Sequence, residues 1–358
     1  MYKRQLLSCT LLYCASLPEC YVVPDMADVL QITGQLEKHT EYRIRATAAM
    51  IFPVMMQGGL TSPDGAGVAQ VLKVRLIHAT IRHLILRGDP GAAGPRKAVP
   101  ALKSVAPPTN MYQALYAHGW NAARDGLPCN QEELAYTLLT FSYVFLRSMR
   151  KLGLGLPRAD EEAYLHAWNV VGHVLGIERA LMADTMDQAE AQFARIQARG
   201  RHRPIQSDPR PALGRALMQT MEDVIPMRLI KPFPALLTRY LCGAQTVADI
   251  GLDRRVSLLS RALFALFMMV IRTIDFFGSL FYPGFSIARF LTRVAGYQFV
   301  VKVLMDQTRP LKLPPGLIGP VADMMQSWHS DAQAPDWVNA LEKRFTGAPA
   351  AAAKGRHA

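Results

Sequence analysis

Cysteine is scarce in this chain of 358 residues, and its pattern excludes two common kinds of site. The five cysteines, Cys9, Cys14, Cys20, Cys129 and Cys242, include no CxxC pair and no His/Cys spacing typical of structural zinc. Their odd number argues against a complete disulfide framework, so we expect a reducing, cytoplasmic setting. The sequence does not decide between a cytoplasmic protein and one that is membrane-associated or exported, because residues 1–20 are expected to be artefactual or disordered and would hide an export signal.

Charged residues are also sparse, and acidic residues are the scarcer kind. Only 19% of residues are charged and half are apolar, which predicts an extensive core or an apolar cavity. With 40 basic against 28 acidic residues, the formal charge of +12 favours an anionic partner such as a lipid surface or a carboxylate-bearing ligand. No motif that reads RNA or DNA is visible, and the arginines are scattered through apolar segments, so we expect no nucleic-acid partner. The sequence does not indicate the oligomeric state.

Strand-like alternation and long uninterrupted apolar runs are nearly absent. Helical periodicity dominates instead and predicts an all-α chain. The most apolar stretch, 256–270, is interrupted by Arg261 and followed by Arg272 and Asp275. That length and those charges favour a core helix or contact with a membrane surface over a crossing.

The predicted organisation is one large helical domain over residues 21–310. Residues 1–20 are expected to be an artefactual or disordered N-terminus, and 311–358 a C-terminal helix with a disordered tail. A Gly/Ala/Pro-rich surface loop is predicted over 88–110. Within the domain, the periodicity predicts helices over 24–34, 36–56, 68–86, 131–152, 160–176 and 180–198, and a helical pattern from 212 to about 308. Asn130 and Asp160 are predicted N-caps, and Gly176 is a predicted helix end.

The helix predicted over 68–86 carries the most informative residues. On a helical wheel His78 shares one face with Arg75, Arg82 and several apolar residues, and leucines cover much of the remainder, which predicts burial nearly all round. Buried cations need partners. A haem would supply them, because its iron accepts an imidazole nitrogen and its propionates pair with arginines. The alternative is a core histidine beside arginines that are bridged to acidic helices.

The segment 75–83 (RLIHATIRH) resembles the RLxHAxxRH signature of the latex clearing protein (rubber oxygenase) family, which includes the MpaB-type oxygenases. Further matching blocks follow in the same order from about residue 24 to residue 252: LQITGQL with RIRAT (30–36 and 43–47), NQEEL with TLLTFS (130–134 and 137–142), EAYLHAWNVVGHVLG (162–176), and RYLCG with ADIGL (239–243 and 248–252). The resemblance implies helices packed as in globins around a haem pocket.

The resemblance also assigns roles to individual residues. His78 is implied as the ligand of the iron of a b-type haem, with Arg75, Arg82 and Arg239 among the cofactor-binding residues. Arg43 and Thr47, four apart on one helix face, match the segment on the opposite side of the iron, where an arginine and a hydroxyl would act on oxygen. Without the family, an ordinary exposed helix face would explain that pair as well.

Two histidines seven apart on the next matching helix, His166 and His173, are expected to support the haem pocket. They lack the nearby carboxylate that a two-histidine metal site would require, so a structural or indirect role is favoured. His83 and Tyr164 are interpreted in the same way.

The sequence departs from the latex-cleaving members of the family at two places. Those enzymes carry a lysine directly before the threonine, where this chain has Ala46, and their upstream glutamate falls near Ala27 and Asp28. Rubber cleavage itself is therefore in question. Haem binding rests on a different helix and is unaffected.

The resulting hypothesis is a haem-dependent oxygenase that uses O₂ on an apolar unsaturated substrate, either an isoprenoid or a lipid. A haem- or lipid-binding helical protein without turnover is the first alternative. A basic helical protein that binds a membrane surface, and only mimics the signature, is the second.

Overall fold

The structure is a computed structural model. It describes residues 10–32, 66–87, 119–202, 208–225 and 227–281, together with residues 98–99, residue 115 and several positions between 47 and 62. The described chain is all-α, as the sequence predicted, apart from two short strands. These strands, β1 (Ala98–Val99) and β2 (Trp120–Asn121), pair antiparallel.

The described part of the chain consists mainly of helices. A π-helical segment (Leu12–Ser16) leads into the first α-helix, and a 3₁₀ turn (Arg179–Leu181) follows α7. The α-helices are α1 (Leu17–Cys20), α2 (Pro24–Ile32), α3 (Ala66–Arg87), α4 (Ala122–Asp125), α5 (Gln131–Phe141), α6 (Tyr143–Lys151), α7 (Arg158–Leu175), α8 (Met186–Arg201), α9 (Arg210–Val224), α10 (Phe233–Cys242), α11 (Ala244–Asp249) and α12 (Leu258–Phe281).

Several helix ends follow the predicted local signals. Asn130 caps α5 through a capping box, in which its side chain accepts a hydrogen bond from the backbone N–H of Glu133. Gly176 ends α7 at φ +88°, a conformation that favours glycine. Asp160, however, lies in the first turn of α7, whose N-cap is Pro157.

Two predicted helices are divided or shifted. The continuous helix expected over 131–152 breaks at Ser142, whose hydroxyl donates to the carbonyl oxygen of Leu138 at 2.8 Å. Such side-chain bonding to the preceding turn competes with a regular helix. The helix expected over 180–198 begins instead at Met186, because Thr185 caps it by accepting from the N–H of Gln188.

The N-terminal residues differ from the artefactual or disordered segment expected over 1–20. Residues 11–23 are buried, and most of them are helical. Glu19 is only 1% exposed and pairs with Arg147 of α6 at 2.7 Å. Gln197 and Thr246 also donate to its carboxylate, at 2.8 and 3.2 Å. A buried carboxylate with three donors ties this segment to α6, α8 and α11.

The chain divides into two compact units, where the sequence predicted one domain over 21–310. One unit is Leu11–Phe264, and the other combines Met1–Thr10 with Ala265–Ala358. In the first unit, a hydrophobic cluster joins the end of α2 to the C-terminal half of α3 and to Leu115 and Trp120. Among the described helices, none combines the length and the apolar character needed to cross a membrane.

Cys14, Cys20 and Cys242 carry free thiols. Burial raises the pKa of the Cys14 and Cys20 thiols to about 12, so both are protonated at neutral pH.

Candidate functional site: the helix of His78

Helix α3 is the longest helix lying wholly within the unit Leu11–Phe264, and its sequence contains no acidic residue. Its 22 residues include Lys73, Arg75, Arg82 and Arg87. The first turn packs closely on preceding backbone, since a Cβ at Gly67 would lie 2.5 Å from the carbonyl oxygen of Gly59. The start of this cationic helix is thereby held in place.

The side of α3 that carries His78 is the packed side. Val71, Ile81 and Ile85 on this face are 1%, 6% and 0% exposed, and His78 between them is half-buried. The prediction of burial nearly all round is wrong, because Leu72 and Leu76 on the opposite face are 49% and 67% exposed. In the middle turns of α3, neighbouring elements therefore cover only the face that carries His78.

Arg75 fastens α3 to the end of α7. Its Nη1 donates to the carbonyl oxygen of Val174 at 3.0 Å, and its guanidinium lies over Gly176. The last carbonyls of a helix lack partners within the helix and carry partial negative charge, so a guanidinium is a favourable partner there.

Arg82, two turns further along, binds the loop before α5. Its Nε donates to the carbonyl oxygen of Pro128 at 3.0 Å and its Nη2 to that of Cys129 at 2.6 Å. Cys129 has φ +53°, a left-handed conformation that turns the chain into the N-cap of α5. Arg82 therefore supports this bend as well as α3.

These contacts differ from the carboxylate partners considered for both arginines. Backbone carbonyls, rather than acidic helices, accept these hydrogen bonds of Arg75 and Arg82. A guanidinium has five N–H donors in a planar fork, so one hydrogen bond from Arg75 and two from Arg82 leave donors for an anionic group. Sequence spacing could not reveal these acceptors, since the bonds of Arg75 and Arg82 span 99, 46 and 47 residues.

Gln131 is a residue of this region whose role the sequence did not suggest. Its amide donates to the carbonyl oxygen of Gly176 at 2.8 Å and accepts from the N–H of Glu178 at 2.9 Å. It was predicted only as part of the start of α5. The amide fixes the turn after α7 on which Arg75 rests.

The remaining predicted site residues lie on several different elements. Arg43 lies outside the described residues, whereas Thr47 is helical and half-buried. His166 and His173 share one face of α7, as expected, and both are exposed. Arg239 is exposed on α10, which packs mainly on α11, α9 and the N-terminal helices, whereas α3 packs mainly on α7 and β1.

Tyr164 belongs to a column of aromatic side chains packed between α5, α6 and α7. Its ring stacks on Phe145 at 5.3 Å and meets the edge of Trp168 at 6.4 Å, while Trp168 stacks on Phe141. Burial raises the pKa of the Tyr164 phenol well above its ordinary value, so the group stays neutral. The column supports the packing of α7, the helix against which α3 lies.

The residue types around His78 are those that a haem would need. In the described parts of the chain, no three His, Cys, Asp or Glu side chains converge as a metal-ion site would need. A haem requires only one imidazole, an apolar wall and cations for two carboxylates. His78, the apolar residues beside it and the flanking Arg75 and Arg82 provide these groups on one helix.

Known proteins resemble this chain both in fold and in sequence. The solved structure of latex clearing protein LCP in the closed state is similar, with a TM-score of 0.54 at 17% identity, over 91% of this chain and 72% of that chain. The family model for the catalytic domain of ER-bound oxygenase mpaB/B′ and rubber oxygenase matches residues 22–273. The chain belongs to this family of oxygenase catalytic domains.

A curated relative gives the same placement. The rubber oxygenase of Streptomyces sp. (strain K30) is 25% identical over 201 residues, which are 54% of this chain and 40% of the relative. The match thus spans about two fifths of the length of that relative. The resemblance stated from the sequence is confirmed.

Proposed function

We propose that the protein is a b-type-haem-dependent oxygenase that uses O₂ on an apolar, unsaturated substrate of isoprenoid or lipid-like character. The observation that carries the proposal is the half-buried imidazole of His78 on the packed face of a helix with four basic residues and no acidic one. Membership of an oxygenase family supports the reaction class, and the name of the Streptomyces relative supports an isoprenoid substrate.

The residues of α3 would divide the work of holding the cofactor. His78 would ligate the iron through one ring nitrogen, and Arg75 and Arg82 would neutralise the propionates with the donors not used on carbonyl oxygens. When bound, a haem of this kind supplies binding and activation of O₂. Thr47 and Arg43 are proposed to orient the reacting groups, and Arg239, His166 and His173 to act further from the iron.

An absorption spectrum tests the ligand assignment. We expect protein produced with a haem precursor to show a Soret band that shifts on reduction with dithionite and again on exposure to air. His78→Ala should abolish this spectrum, whereas His83→Ala, an exposed histidine on the same helix, should preserve it. An unchanged spectrum in His78→Ala would show that another residue holds the iron.

Oxygen consumption tests turnover separately from binding. The purified haem-loaded protein should take up O₂ when unsaturated terpenoids or lipids are added, and His78→Ala should not. Saturated analogues of the same length provide the control, since they lack the C=C bond.

A second function, binding of haem or a lipid without turnover, is favoured by one departure from the family pattern. Ala46 replaces the lysine of the latex-cleaving members, and the region of their glutamate holds Ala27, which is fully buried, and Asp28. A haem spectrum with no O₂ uptake across a broad panel of substrates would favour this alternative.

A further inference from the structure

Helix α12 presents a continuous exposed apolar face. Leu259, Leu266, Val270 and Phe277 are 56%, 50%, 43% and 53% exposed. At about 100° per residue their directions fall within an arc of roughly 40°. Leu258, at 79%, and Met269, at 58%, extend this arc on one side. An exposed face of this size on a helix indicates a partner.

Two exposed arginines lie roughly 40–60° beyond Leu258 around the helix, on the side away from Leu259. Arg261 and Arg272 are both exposed and lie eleven positions apart, which places them within roughly 20° of each other around the helix. Long basic side chains at the edge of an apolar face keep their stems on the apolar surface and their charges in water or among head groups. This pattern is typical of helices that lie in the plane of a membrane interface.

A second exposed segment lies beside the start of α12. The turn before α10 exposes Met227 and Leu229, at 59% and 43%, with the exposed Arg228 between them. Two contacts bracket this turn: Glu222 pairs with Arg254 before it, and Phe233 packs edge-on against Phe264 after it, at 5.4 Å. These contacts place the turn near the loop before α12 and near Phe264, within the unit Leu11–Phe264.

The charge of this region is positive. Between Glu222 and Arg272 the sequence has seven basic residues and four acidic ones. Two of the acids are paired, Glu222 with Arg254 and Asp249 with Arg201, which leaves Asp223 and Asp253 as the exposed acids. Among candidate partners, an anionic surface that also accepts apolar side chains fits this combination.

We propose that this basic–apolar patch, formed by Met227, Leu229, Leu258 and Leu259 with Arg228, Arg255 and Arg261, binds the surface of an anionic phospholipid bilayer. The leucines and the methionine insert at the boundary between head groups and acyl chains, and the arginines bind lipid phosphates. This inference does not depend on haem binding.

Co-sedimentation with vesicles tests the patch directly. The full chain should pellet with vesicles of equal parts phosphatidylcholine and phosphatidylglycerol, much less with phosphatidylcholine alone, and less at high salt. Leu258→Glu should lower binding at least about tenfold, since it removes a leucine that would insert into the bilayer and adds a negative charge. Arg255→Ala should lower binding about fivefold. Leu127→Glu, at a leucine 50% exposed in a different loop, should bind like the wild type.

The other possible occupants of this face give different results. Failure to pellet with anionic vesicles, or equal binding by Leu258→Glu and the wild type, overturns the proposal. Light scattering that shows a dimer, dissociated by Leu258→Glu, together with no vesicle binding, would assign the face to a second copy and also overturn it. Circular dichroism of each variant establishes that the helices are intact.

Discussion

The guanidinium of Arg75 lies directly over Gly176, so that a Cβ built on this glycine would come within 3.0 Å of the arginine Cζ and Nη2 atoms. The pair joins the helix of His78 to the end of α7. Position 176 requires a glycine for two reasons: the arginine leaves no room for a side chain, and the backbone has a φ of +88°.

Gly176→Ala should therefore lower the free energy of unfolding by more than backbone strain alone would. Gly153 has φ +75° and open space around its Cβ position, so Gly153→Ala measures the backbone cost, about 1 kcal/mol. We expect Gly176→Ala to lower the free energy of unfolding by about 2 kcal/mol, because Arg75 must also move. Urea unfolding of both variants makes the comparison. Equal losses of unfolding free energy in the two variants would mean that Arg75 moves aside without an energetic cost.

The cap of α5 gives a second prediction. Asn130→Ala should destabilise the protein by about 1 kcal/mol, because the N–H of Glu133 loses its acceptor. Asn130→Ser keeps an acceptor oxygen without placing a second negative charge beside Glu133, to whose carboxylate the Asn130 amide donates at 2.9 Å, so it should retain most of the stability. Thermal unfolding of the two variants distinguishes the lost hydrogen bond from general disruption of the loop.

These two positions show which parts of the fold were predictable from the sequence. Asn130 and Gly176 carry local signals, because capping and left-handed turns depend on residues within one helical turn. The break at Ser142 was not predicted, because a helix usually continues through a single serine. The buried segment 11–23 was missed because its stability comes from partners such as Arg147 and Thr246, which are distant in sequence.

The candidate site was predictable only in part for the same reason. The spacing of Arg75, His78 and Arg82 placed them on one face, and the structure places His78 on the packed side. The carbonyl acceptors of the arginines belong to other helices and loops, so no periodicity within α3 could indicate them. The exposure of Leu72 and Leu76 likewise depends on which elements pack against α3.

The buried pair Glu19–Arg147 leads to a third prediction. Glu19→Ala should lower the free energy of unfolding by about 3–5 kcal/mol, because it leaves the guanidinium of Arg147 without its carboxylate. Glu162→Ala is the matched control, since its partner Arg158 is exposed and such pairs contribute less than about 1 kcal/mol. If Glu19→Ala does not fold, Glu19→Gln, which keeps an acceptor oxygen, should fold with a smaller loss. Chemical denaturation that shows similar losses for Glu19→Gln and Glu162→Ala would contradict a strong buried pair.

The buried thiols predict a loss of stability in alkali. Burial raises the pKa of Cys14 and Cys20 from 9.0 to about 12, so between these values the unfolded chain binds fewer protons than the folded chain. Stability is therefore complete below about pH 9 and falls as the pH rises towards 12, by up to about 1.4 kcal/mol per thiol and pH unit. Urea unfolding at several pH values should show a shallower slope for Cys14→Ala than for the wild type. Identical slopes would assign the alkaline loss to other groups, such as the buried Tyr136, whose pKa burial also raises.

The two arginines beside His78 should separate cofactor binding from folding. Arg82 donates to two carbonyl oxygens, so Arg82→Ala should lower the free energy of unfolding by about 1–3 kcal/mol even without haem. Arg75 is exposed and donates to the carbonyl oxygen of Val174, so Arg75→Ala should change stability by less than about 1 kcal/mol. If Arg75 neutralises a propionate, the same variant should nevertheless release haem faster to apomyoglobin, a standard haem acceptor. Haem transfer unchanged in Arg75→Ala, with its fold intact, would restrict Arg75 to holding α3 against α7 and would leave Arg82 as the candidate propionate partner.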